Sequence, residues 1–171
     1  MATNLYQRSI QELTKTIEDC LKNKEKISCL ILFYSTIDIM AWLSRDPHDA
    51  DSTREDFINW VEEYLLPGSG LDCKGGDLYA ARCAVIRSYA QVWGISQSNK
   101  VAGNKIHYVW GKVNNSTTKL NKSKPTDETI SIPVESLVKS LQTAIQRFNN
   151  SLTDNRSMFE LINERSKKYF I

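Results

Sequence analysis

Apolar side chains at Leu5, Ile10, Leu13, Ile17 and Leu21 fall at helical spacing, with charged residues on the other face, and predict an amphipathic helix over residues 4–23. The polar connection KNKEK follows it. Residues 27–44 are apolar nearly all round, which suits a central helix covered by its neighbours. Ser52 or Thr53, set before Glu55 and Asp56, reads as the cap of a third helix. Phe57, Trp60, Val61, Tyr64 and Leu65 line one side of that helix, and PGSG stops it. Asp77 reads as the N-cap or an early-turn acid of a fourth helix that runs to about Gln91. KIHYVWGKV alternates with period two and predicts a strand; TISIPV predicts a second, with Pro133 hinting at an edge. The polar stretch NNSTTKLNKSKPTD between them predicts a mobile loop. Leu137, Leu141, Ile145 and Phe148 mark a fifth helix, and RSMFELINERSKKYFI a shorter last one. The expected fold is mostly α: a bundle of five to six helices with a small β-hairpin, about residues 105–134, inserted between helices four and five.

A chain of 171 residues has the size of one domain, here 1–171, and buries a core without staples. Its apolar and charged fractions, 41% and 25%, are ordinary for a soluble globular protein. The apolar run ISCLILFYSTIDIMAWL is interrupted by Ser35, Thr36 and Asp38, so a buried core helix is expected rather than a membrane span. No signal core precedes it, and a cytoplasmic location is expected. The four cysteines are scattered with no CxxC pair, and the two histidines are far apart. No disulfide framework, metal site or cofactor is expected from that pattern.

Charge changes the picture. The net +2 hides a segment, residues 78–126, with eight Lys or Arg and no acid, while residues 1–77 hold fourteen acids and eight bases. Such bias marks an anionic partner, or it pairs with the acidic part of the same chain. Two arginines, Arg82 and Arg87, lie inside the apolar fourth helix, where an unpaired guanidinium is costly. Five residues apart, they stand about 140° from one another around the axis. A structural role would pair one of them with Asp38, Glu62 or Glu63. Tyr89, Trp93, Tyr108 and Trp110 mix with Lys100, Lys105 and Lys112, a pattern that suits single-stranded RNA or a hairpin packed on a helical core.

The order of elements and the segments FYSTIDIMAWL, REDFINWVEEYLLP and DLYAARCAVIRSY resemble the HEPN superfamily, helical domains of prokaryotic toxin–antitoxin and related defence systems. The resemblance covers roughly residues 5–165. Active members are metal-independent ribonucleases, usually dimers, and carry on the fourth helix an arginine followed four to six residues later by a histidine. The arginine matches Arg82; the histidine position is Arg87. An imidazole can exchange protons near neutral pH, whereas a guanidinium has five donors, no acceptor and a permanent charge. The resemblance therefore implies a site that grips phosphate through Arg82 and Arg87, with Lys100, Lys105 and Lys112 as further RNA contacts, and does not cut. His107 or Tyr89 would have to supply the base in a ribonuclease with an unorthodox mechanism. A small interaction protein with purely structural arginines is the remaining alternative. The implied partners are a second copy of the chain and either RNA or a nucleotidyltransferase-like protein.

Overall fold

A computed structural model describes residues 5–46, 53–92, 104–111 and 129–169. Six helices, α1 (Leu5–Lys22), α2 (Lys26–Ser44), α3 (Arg54–Trp60), α4 (Gly75–Val92), α5 (Val134–Asp154) and α6 (Arg156–Tyr169), carry most of the described chain. Two short strands, β1 (Lys105–Val109) and β2 (Thr129–Pro133), complete it. The sequence expectation of a mostly helical chain with a small β element holds.

The nearly uniform apolar surface of α2 has its reason in the packing. α1, α3, α4 and α6 all lie against it, and Phe33, Tyr34, Ile37, Met40 and Leu43 are buried there. α2 is long and apolar enough to cross a membrane by length and composition, and half of that window is covered inside the fold. α1 contributes Tyr6, Ile10 and Ile17 to the same core, and α5 contributes Leu137, Leu141, Ala144 and Phe148. Each such aliphatic or aromatic side chain stabilises the fold by roughly 1.5–3 kcal/mol relative to exposure.

Thr53 is the α3 cap. Its hydroxyl accepts from Asp56 N at 3.3 Å, and Asp56 accepts from Thr53 N at 2.6 Å. The helix then widens into a π segment, Val61–Leu65, in which Leu66 N reaches back to Val61 O at 2.9 Å. Trp60, Tyr64 and Phe148 pack around it with ring centroids 5.1–6.3 Å apart. Arg147 of α5 closes its end by donating to the carbonyls of Tyr64 and Pro67. Gly68, at φ +64°, admits that guanidinium, since a Cβ there would stand 3.3 Å from Arg147 Nη2.

Asp77 does more than begin α4. One carboxylate oxygen accepts from Lys74 N at 2.9 Å and the other from Asn104 N at 2.8 Å, so a buried acid ties the start of the helix to the start of β1. Gly75 donates to Glu62 Oε1 at 2.7 Å and packs so closely on Ile58 O that a Cβ would lie 3.1 Å from it.

The expected hairpin is corrected. β1 and β2 pair in parallel, in the register Lys105↔Thr129 through Val109↔Pro133. β2 runs directly into α5, whose buried face lies against the π segment, α1 and α6, so the packing of α5 fixes the direction of β2. Alternation places Ile106 and Tyr108, and Ile130 and Ile132, toward the core whichever way the second strand points. The pattern therefore predicts the strands and is silent on their orientation. The expected mobile loop between them lies outside the described residues.

Candidate functional site

Three helices build one open cleft. Asp38, Ile39 and Trp42 lie within one turn or so of α2 and share a face. Tyr79 and Arg82, three residues apart, share a face of α4, and Thr53 and Arg54 come from the start of α3. The space between them is about 350 Å³.

Arg82 lines it beside Asp38. Its Nε donates to Asp38 Oδ2 at 2.7 Å, and Nη1 approaches Cys83 Sγ at 3.9 Å. The guanidinium stands 5.5 Å from the Tyr79 ring centroid and 6.0 Å from that of Phe57. Arg54 stacks on the same Tyr79 ring at 5.6 Å. Two cations thus share one aromatic platform, and among the described lining residues Asp38 is the carboxylate beside them. Side-chain exposures of 24% for Arg82 and 35% for Asp38 leave the pair half covered, within reach of a solute.

That position sets the titration of both groups. Burial raises the Asp38 carboxyl, and the hydrogen bond and charge of Arg82 only partly oppose it. Burial pulls the Arg82 guanidinium down, but Asp38 together with Cys83 and Tyr79 outweighs it, and the net shift is upward. Arg82 therefore stays charged, and of the two partners the carboxylate is the one that changes state. Tyr79 is raised by burial and keeps its proton at neutral pH.

The other sequence candidates stand apart from this cleft. Arg87 is half-buried on α4 and does not line it. His107 and Lys105 are exposed on β1. Lys100, Lys112, Trp93 and the Tyr89 side chain lie outside the described residues. Tyr108 packs against the core and shares a 2.6 Å hydrogen bond between hydroxyls with Tyr34; burial raises Tyr108 to about 12. Trp110 also packs against the core, with Lys26 Nζ 5.7 Å from its ring. These two aromatics therefore belong to the packing of β1 on the helices. Among the described residues no group of three or more His, Cys, Asp or Glu is placed to hold a metal.

Of the three acids considered for an arginine partner, Asp38 is the one that pairs. Glu62 instead accepts from Gly75 N. Arg54 and Trp42 are cleft residues that sequence reasoning passed over. Arg54 reads as an ordinary first-turn residue and Trp42 as one more apolar position of a core helix, so only the meeting of α2, α3 and α4 marks them. No family model, curated protein or solved structure matches this chain.

Proposed function

We propose that this chain is a HEPN-like helical domain that binds single-stranded RNA without cleaving it, acting as a homodimer. The observation that carries this reading is the pair of guanidiniums of Arg54 and Arg82 on one tyrosine ring in an open cleft, with the Trp42 side chain on its wall. Guanidiniums meet phosphate oxygens through forked hydrogen bonds, and aromatic faces stack on bases without regard to sequence. Among the described residues that line the cleft there is no histidine. Pairing through α4, where Ile86 is 44% exposed, would cover an apolar side chain and agrees with the assembly the resemblance implies.

The Asp38 bond favours a second reading, in which Arg82 fastens α4 to α2 and meets no ligand. One experiment separates them. Labelled single-stranded RNA is incubated with the protein in EDTA, binding is followed by anisotropy, and the RNA is then run on a denaturing gel. The first reading expects saturable binding, intact RNA, and affinity reduced about tenfold or more by Arg82→Met and by Arg54→Met. Binding unaffected by Arg82→Met supports the fastening role. Cleavage that Arg82→Met abolishes makes the domain a nuclease.

A further inference from the structure

We propose that Asp38 holds the anion position of the cleft in the unliganded protein, and that an RNA phosphate binds by displacing it from Arg82. This rests on the RNA-binding reading above and concerns how that site is regulated.

Arg82 offers its Nε edge to the cleft side of α2, and Asp38 Oδ2 already occupies it at 2.7 Å. An Nε–H makes one strong bond, so a phosphate oxygen taking a forked grip on that edge cannot share it with the carboxylate. The second cation, Arg54, has its guanidinium on Tyr79 and is the group a phosphate meets without competition from Asp38. A phosphate arriving beside an ionised Asp38 brings two like charges into a half-covered cleft, where their repulsion is less screened than in water. Neutralising the carboxylate removes the repulsion and leaves Arg82 Nε bonded to a neutral acceptor, a weaker bond that a phosphate oxygen displaces more easily.

Among the described residues, the charged and titratable groups that line the cleft around Asp38 are Arg54 of α3 and Arg82 and Tyr79 of α4. The Arg82 guanidinium keeps its charge and the Tyr79 phenol its proton throughout the acid range, since both are raised. Among the described residues lining the cleft, Asp38 is thus the group whose charge changes there, and burial moves that change upward from the ordinary carboxylate value.

The test measures binding of a short fluorescent oligouridylate, whose diester phosphates and bases do not titrate between weakly acid and neutral pH. Asp38→Asn keeps the size of the side chain and an acceptor oxygen while removing its charge. It is expected to bind roughly three- to tenfold more tightly than wild type at neutral pH, the range that loss of one competing, partly exposed ion pair gives. Wild-type affinity is expected to rise as pH falls through the Asp38 titration, and the Asp38→Asn affinity to stay flat. The pH series on the wild-type chain serves even if the variant is poorly folded. Equal or weaker binding by Asp38→Asn, or a wild-type affinity indifferent to pH, overturns the displacement and makes Asp38 a group that orients Arg82 for its ligand. If neither protein binds oligouridylate at any pH, the RNA-binding reading itself fails along with the displacement.

Discussion

Arg82 and Arg165 are both part-buried arginines that fasten another helix to α2, and they do it in opposite ways. Arg165, from α6, reaches the C-terminal end of α2. Its Nη1 donates to the carbonyls of Leu43 at 2.7 Å, Arg45 at 2.8 Å and Trp42 at 3.3 Å, and Nη2 donates to Asp46 O at 3.3 Å. α2 ends in extended backbone at Arg45, φ −61° and ψ 160°, with no glycine to turn its last carbonyls inward. The guanidinium takes that part, and its charge also complements the negative end of the helix dipole. Burial and the nearby Arg45 charge lower the Arg165 guanidinium, yet it remains a cation at any relevant pH. Arg82, by contrast, pairs with a side chain on the flank of the same helix. Carbonyls at a helix end cannot titrate and cannot move away without unwinding the helix. A carboxylate can do both, so the same residue type fixes the fold at one place and leaves a contact open to exchange at the other.

The contrast is most exposed to refutation at Arg165. Arg165→Met keeps the apolar stem against Trp42 and removes every donor. It should cost about 2–3 kcal/mol in urea unfolding, because several part-buried carbonyls lose their partner together. A loss below about 0.5 kcal/mol would place Arg165 among ordinary surface side chains and dissolve the distinction. Arg82→Met should cost less, about 0–1 kcal/mol, as a partly exposed ion pair does; a loss as large as that at Arg165 would make Arg82 a structural fastener first.

The finest effect concerns Asp38 and pH. Its folded-state pKa is raised above the unfolded value of 3.8, so the folded protein holds this proton more tightly. Stability from this group is present below the unfolded value and falls as pH rises through the window up to the folded value. Asp38→Asn should remove that slope. Urea midpoints of wild type and variant across the weakly acid range measure the difference, and parallel curves would show that Asp38 titrates alike folded and unfolded.

Much of the frame was legible in the sequence because local signals and tertiary packing agree. The apolar spacing of α1, the all-round apolar surface of α2, the Thr53 cap and the Pro133 boundary each correspond to an element within a residue or two. Asp38 was legible as one of three acids near enough in the helical order to meet Arg82. What the pattern could not carry were relations between distant segments. The π segment looks like continuous helix, since five residues of one extra-wide turn keep the same composition. The parallel sense of the strands depends on where α5 packs. The capping arginines Arg147 and Arg165 lie 80 or more residues from the carbonyls they satisfy, and no periodicity links them. The cleft followed the same rule: Arg82 was singled out for being odd in its own helix, and Arg54 was missed for being ordinary in its own.

The parallel register of β1 and β2 also constrains how the chain can be rebuilt. Lys105 and Thr129 lie side by side at the same end, so the chain leaving Val109 must travel back along the full ladder before Thr129 begins. At ~3.3 Å per residue that return is about 13 Å. A two-residue Asn-Gly turn spliced between the strands, the usual economy for a tidy pair, would either tear the ladder or reverse it and pull α5 off its neighbours. Any miniaturised version of this protein needs a spacer there long enough to make the trip.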